Sequence, residues 1–278
     1  DGDVGDLRLM RPVGKPAVVI VTDRKGRKQI LRAPSLVYRQ AVRVVEATGG
    51  VRATVHVPLL AYGPGRSRDP VDTEVRADTV AAWLDTDGKG GRVTELVAKG
   101  KVTATQSSGT GMVCEHLRVD LVRDETVVQG SPARLDLVRI DGGRRLKEWL
   151  IATTMVSTNG EALLGGPVRA RLHSEPKGLA MNVAGEKREA AHEATLIPID
   201  IVATQDLCLT DERVQARGPA IVTQGDPKKD GFKLNGERIV LFLGKAEAGS
   251  ETAPKRSEAL RSLDVERAVI EGAVEFVS

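Results

Sequence analysis

Five times along the chain a glycine stands at the centre of a segment in which apolar and polar residues alternate. In residues 96–104, Leu96, Ala98, Val102 and Ala104 share one parity with Gly100 between them. Lys99, Lys101 and Thr103 take the other parity, which only Val97 breaks. A period of two is the mark of a strand with one buried face. The pattern returns as Val45, Ala47, Val51, Ala53 and Val55 around Gly49, and as Leu164, Val168, Ala170 and Leu172 around Gly166. It returns again as Val214, Ala216, Ala220 and Val222 around Gly218, and as Ile270, Val274 and Phe276 around Gly272. A weaker copy at Gly130 keeps Val128 and Pro132, then hands the apolar parity to Ala133, Leu135 and Leu137. That hand-over predicts a register shift after Gly130.

A glycine inside a strand packs nothing and gives up more backbone freedom than any other residue. Its recurrence at one place in successive strands therefore needs a cause. A bulge or bend where a sheet curls is one. Small residues that clear room on a concave face are another. Both demand a curved, repeated sheet.

Turn signals fill the intervals. Asp87-Gly88, residues 107–111, Asp141-Gly142-Gly143 and Asn159-Gly160 each mark a hairpin connection. Helical periodicity is nearly absent. The chain is expected to be all-β, with about a dozen antiparallel strands built from a repeated hairpin. The glycines at 49, 100, 166, 218 and 272 lie 51, 66, 52 and 54 residues apart. Residues 112–122 are read as one strand with Leu117, Val119 and Leu121 inward, and residues 260–277 as a final hairpin. Residues 1–172 are expected to form the main β-jellyroll, 173–195 a loop or linker, and 196–278 its continuation or a second, shorter unit. With Asp1 at the start and a strand-like run at the end, the sequence reads as a piece of a longer protein lacking its targeting segment.

Composition narrows the interior. Hydrophobic residues make up 41% of the chain but aromatic ones only 3%. Val, Leu and Ala must fill the core, which suits a thin, two-layered or open structure. The net charge of +3 gives no push toward nucleic acid. Trp83, Trp149, Tyr38, Tyr62, Phe232, Phe242 and Phe276 are scattered rather than set out as a stacking platform. Cys114 and Cys208 are far apart and belong to no CxxC pair, which argues against a metal site and leaves disulfide and free thiols both open. No apolar run approaches the roughly 18 residues of a membrane helix.

Catalytic constellations are not evident. His116 neighbours Glu115 within a strand, so the two side chains point to opposite faces. His192-Glu193 lacks the HExxH spacing. His56, His116, His173 and His192 read as surface residues. Asp85, Asp87, Asp124, Asp141 and Asp211 sit at turns, where turn chemistry accounts for them. No cofactor is implied.

The repeated unit resembles the OstA-like family, the β-jellyroll domains of lipopolysaccharide transport. The resemblance rests on residues 45–51 (Val-Glu-Ala-Thr-Gly-Gly-Val), 97–102 (Val-Ala-Lys-Gly-Lys-Val) and 127–132 (Val-Val-Gln-Gly-Ser-Pro). Strands of matching style lie at 75–80 and 115–121. It covers residues 40–172 well and 196–278 more loosely. It implies two curved facing sheets, β-taco-like, with an apolar slot for lipid acyl chains and open end strands. The slot would be lined by Ala98, Val102, Ala104, Leu117, Val119, Leu121, Val168 and Ala170. It also implies a periplasmic or envelope location, lipopolysaccharide or another lipid as ligand, and edge-strand pairing with other β-jellyroll envelope proteins or a second copy. Two other readings stand beside it. One is a structural β-solenoid scaffold or surface protein without cargo. The other is a polysaccharide-acting β-helix enzyme with an exposed Asp/Arg/Lys cluster on one sheet.

Overall fold

The computed structural model describes residues 7–10, 15–22, 26–56, 59, 71–86, 91–141, 144–158, 160–174, 197–210, 212–225, 231–243, 265–272 and 275–277. Its strands are β1 (Leu7–Met10), β2 (Ala17–Thr22), β3 (Lys28–Ala33), β4 (Ser35–Arg39), β5 (Val44–His56) and β6 (Asp72–Thr86). Next come β7 (Gly91–Gln106), β8 (Gly111–Asp120), β9 (Glu125–Asp141), β10 (Arg144–Thr158), β11 (Glu161–Gly165) and β12 (Val168–Ser174). The last are β13 (Ile197–Ala203), β14 (Asp206–Leu209), β15 (Arg213–Gln224), β16 (Phe232–Leu243), β17 (Val265–Glu271) and β18 (Glu275–Val277). Neighbouring strands pair antiparallel, and the described residues are all-β apart from one short 3-10 turn at Gln40–Val42.

The chain forms two compact units. Unit 1 comprises Asp1–Ala61, Arg68–Val138 and Thr153–Asn159, and unit 2 comprises Tyr62–Ser67, Arg139–Ala152 and Gly160–Ser278.

In unit 1 the long strands β5 to β9 pair in sequence order, and each is bent at a matching place. Thr48 pairs with Thr79 and Val51 with Ala77, so Gly49 and Gly50 together oppose Asp78. Lys99 pairs with His116 and Val102 with Cys114, so Gly100 and Lys101 oppose Glu115. Two residues against one is a β-bulge, which bends and further twists its strand. The bulges line up across the sheet and divide it into two halves. β4 pairs with the first part of β5 and β3 with the second, with Pro34 between them at the same line.

The burial pattern explains why the chain needs these bulges. On β5, after the buried Val44 at its start, Val45, Ala47, Val51, Ala53 and Val55 are buried, so from Val45 on the parity runs straight through the glycines. On β6 they are Thr73, Val75 and Ala77, then Val80 and Ala82, because Asp78 and Thr79 both face outward. A strand that carries two bulge residues thus alternates with one that skips a beat, and the apolar faces of both halves stay on one side. β9 makes its shift after Gly130, with a cis Ser131–Pro132 bond, and Ala133, Leu135 and Leu137 continue the buried face as expected from sequence. β2, at the end of unit 1, approaches β7. Four strand spacings of about 4.8 Å would separate them in a flat sheet, so the sheet curls back on itself.

Unit 2 repeats the device. Arg217 pairs with Arg238 and Ala220 with Gly236, so Gly218 and Pro219 oppose Glu237. Gly166 and Pro167 separate β11 from β12, and Thr204 and Gln205 separate β13 from β14, at the same line. β11, β14, the first part of β15, the second part of β16 and β17 form one half. β12, β13 and the remaining parts of β15 and β16 form the other, with β10 and β18 at its sides.

The structure corrects several readings. β17 and β18 both pair with β16, so the described parts of the hairpin expected over 260–277 do not pair with each other; they continue one another along β16 as two pieces of one bent edge. Leu121 is not inward on a strand. β8 ends at Asp120 and Leu121 opens the turn 121–124, half-buried. The Asp120 carboxylate fixes this end by accepting the backbone N–H of Val122 at 3.0 Å and of Arg123 at 2.9 Å. β12 and β13 pair over seven residues, from Val168–Ala203 to Ser174–Ile197, and both lie in unit 2. Residues 175–195 of the expected linker, like His192, lie outside the described residues.

Candidate apolar interior and its polar rims

Parity and pairing together decide which side chains meet inside unit 1. Ala98 pairs with Val80 on one side and Leu117 on the other. Ala104 stands between Val75 and Met112, Val102 beside Cys114, and Val119 beside Leu96. Ala98, Val102, Ala104, Leu117 and Val119 are at most 1% exposed. Among the described residues of this unit the buried apolar set holds no aromatic ring; Leu, Val, Ala, Met and Cys make it up. The other two expected lining residues, Val168 and Ala170, are buried in unit 2, where Ala170 lies between Leu150 and Ile201. Seven of the eight expected residues therefore face an interior, and Leu121 does not.

The inward face turns polar at the ends of the strands. In unit 1 one row runs from Gln29 through Val55 and Thr73 to Gln106. Gln106 Nε2 donates to Thr73 Oγ1 at 3.3 Å, and Thr73 Oγ1 donates to the Val71 carbonyl at 3.1 Å. Beside the row, His56 Nδ1 pairs with the Asp72 carboxylate. In unit 2 the corresponding polar residues are Gln224, Glu148 and His173.

The outer faces carry charge in compensated sets. Arg118 on β8 engages Glu95, Glu125 at 2.9 Å and Asp120 at 3.3 Å. The hydrogen bond to Glu95, followed by the attraction of the other two carboxylates, raises its pKa. Arg52 and Arg76 both reach Glu74, and their hydrogen bonds hold the Glu74 carboxyl below the usual range. In unit 2 Arg171 grips Asp200 with two bonds, at 2.7 and 2.9 Å, while its guanidinium lies 6.0 Å from the Trp149 ring centre. Cross-strand pairs of opposite charge of this kind stabilise neighbouring strands modestly. A shallow depression of about 530 Å³ on the unit 1 exterior is lined by Thr54, Asp72, Glu74, Arg76, Thr103 and Thr105 among others. Its acidic and basic residues are the ones already paired.

Both cysteines are free thiols. Burial pushes the Cys114 thiol up to about 12 and also raises that of Cys208. His173, read from sequence as a surface residue, is buried against Glu148, with Nδ1 3.4 Å from its Oε1. The signal for that pair was present: Glu148 stands on the apolar parity of Leu146, Leu150 and Ala152. Among the described residues no group of three or more His, Cys, Asp or Glu side chains could hold a metal ion, and no helix is long and apolar enough to cross a membrane. No protein-family model, curated protein or solved structure matches the chain.

Proposed function

We propose that the chain is a non-enzymatic, lipid-carrying β-jellyroll of the OstA-like kind, which holds acyl chains of lipopolysaccharide or a similar lipid between two curved sheet halves. The observation that carries this reading is the aliphatic interior of unit 1, which runs across the line of bulges. Alanines alternate along it with larger residues at Ala47, Ala53, Ala77, Ala82, Ala98 and Ala104. Such a surface takes up chains by burial alone, at about 0.8 kcal/mol per CH₂. It demands no chemical match along the chain, while the polar rim of Gln29, Thr73 and Gln106 suits the end where a headgroup meets water. The interior residues are nearly inaccessible in this state, so entry of a chain requires the two halves to part, with the bulge line as their hinge.

The end strand β2 pairs with β3 alone among the described residues, and its outward Val18 and Ile20 are 44% and 56% exposed. An edge strand accepts a further strand where its unpaired side is open, which here requires the side of β2 that approaches β7 to stay accessible. In the proposed function this edge is where another β-jellyroll envelope protein or a second copy would pair, in a periplasmic or envelope setting.

The same closed packing favours a second reading, a structural β-scaffold whose interior is a dry core. Titration with a fluorescent long-chain acyl probe separates the two. The lipid reading expects saturable uptake with a blue shift, reversed by lipopolysaccharide. The scaffold reading expects neither.

A further inference from the structure

Among the described residues of unit 2, the buried ionisable side chains are Glu148 and His173. Glu148 shares the inward parity of Leu150 and Ala152 and is 3% exposed. The pairing of β10 with β12 runs from Ile151–Arg169 to Trp149–Arg171 and stops there. Just beyond it the Glu148 side chain takes over as acceptor: the backbone N–H of His173 donates to Oε1 at 2.9 Å. His173 Nδ1 also lies nearest Oε1, at 3.4 Å, and makes no hydrogen bond among the described residues. Oε2 is shut off from solvent and has no partner among them either.

An ionised carboxylate removed from water is costly unless donors meet both oxygens. One backbone N–H meets only one of them. Next to this oxygen the inward face continues through Leu150, Ala170, Leu172, Ile201 and Leu234, all at most 3% exposed. The unit therefore presents an unanswered acceptor at the rim of an aliphatic surface. A cationic N–H donor attached to an alkyl chain would satisfy both.

We propose that unit 2 holds a binding site for amine-headed amphiphiles, with Glu148 Oε2 as the acceptor for the ammonium group. This rests on reading such an aliphatic interior as a lipid slot, applied to unit 2 by itself, and assigns the headgroup that unit 2 selects. His173 is the positioning residue: its backbone N–H anchors Oε1 and leaves Oε2 turned to the ligand. An alkyl carboxylate is disfavoured at the same place by like charge.

The test is calorimetric binding of dodecylamine, dodecanol and dodecanoate to the whole chain, each below its micelle-forming concentration. A charge-assisted hydrogen bond in a dry site is expected to favour the amine over the alcohol by roughly tenfold or more, with dodecanoate weakest. Glu148→Gln keeps an oxygen for the His173 N–H and removes the charge. It is expected to abolish the amine preference while dodecanol binding stays unchanged. Equal wild-type affinity for amine and alcohol would overturn the headgroup assignment while leaving the slot standing. A preference that survives in Glu148→Gln would overturn it too, by placing the amine elsewhere. Binding of none of the three compounds would overturn the slot together with the site.

Discussion

Gly100 on β7 and the Asp78 side chain on β6 occupy adjoining space so closely that a Cβ on residue 100 would collide with the Asp78 carboxylate and press on its Cβ at 3.0 Å. Gly100 also has φ of 75°, in the left-handed region. The bulge line thus has two requirements at this point, a backbone conformation and an absence of volume. Gly50, on β5 at the other side of β6, has φ of 88° but open space where a Cβ would go. Gly100→Ala is expected to destabilise unit 1 by roughly 2–4 kcal/mol, and Gly50→Ala by only about 1–2 kcal/mol, the cost of the left-handed conformation alone. Denaturant melts of the two variants measure the difference. Equal losses would mean that crowding against Asp78 adds nothing.

Inward and outward residues on one strand should differ sharply. Leu117 is fully buried between Ala98 and Val128, whereas Val113 on the same strand is 52% exposed. Leu117→Ala is expected to cost about 2–5 kcal/mol and Val113→Ala less than about 0.5 kcal/mol. The midpoint of chemical denaturation reads both.

Glu74 gives the exterior a pH signature. Its carboxyl is held low chiefly by the hydrogen bond from Arg52, then by that from Arg76. A depressed folded-state pKa means that the unfolded chain takes up the proton first as acid is added. The stabilisation is therefore fully present above the ordinary value of 4.5 and is lost as pH falls through the folded value. The site is on the surface, so the effect stays below about 1 kcal/mol. Glu74→Gln is expected to flatten the stability profile below that ordinary value and to leave its slope at neutral pH unchanged. A variant that parallels the wild type throughout the acid range would contradict the pairing.

The thiols should report burial in a fixed order. Cys208 is partly exposed and Cys114 is buried with its pKa pushed up to about 12. With a thiol-specific disulfide reagent at mildly alkaline pH, Cys208 is expected to react first, and Cys114 only when the protein unfolds. Mass spectrometry of the labelled peptides settles the order, and labelling of Cys114 ahead of Cys208 would count against the β7–β8 register.

Much of this architecture was legible in the sequence because period-two alternation is a local signal and the glycines punctuate it. The parity of Ala98, Val102 and Leu117 could be read directly. So could the hand-over after Gly130, since an apolar run can change parity and stay on one face only where the strand shifts register. What could not be read were features set by a neighbouring strand. Leu121 keeps the parity of Val119, but the Asp120 carboxylate captures two backbone N–H groups and turns the chain before Leu121 can face inward. Residues 260–277 read from sequence as a hairpin, and only the pairing of both described pieces, Val265–Glu271 and Glu275–Val277, with β16 shows that they continue one another. Glu148 and His173 are 25 residues apart and meet only through the β10–β12 contact.

The most direct measurement is photo-crosslinking from two adjacent residues of the central bulge, Lys101 and Val102. Val102 is fully buried on the inward face, and Lys101 faces outward within the bulge. A photoreactive amino acid is placed at each position in turn, the variants are shown to be folded by their circular dichroism and thermal melts, and each is irradiated with lipopolysaccharide. A lipopolysaccharide adduct is expected from position 102 and none from position 101. A folded protein that gives no adduct at position 102, or equal adducts at both, would contradict a lipid-holding interior and leave the sheet halves enclosing a dry core.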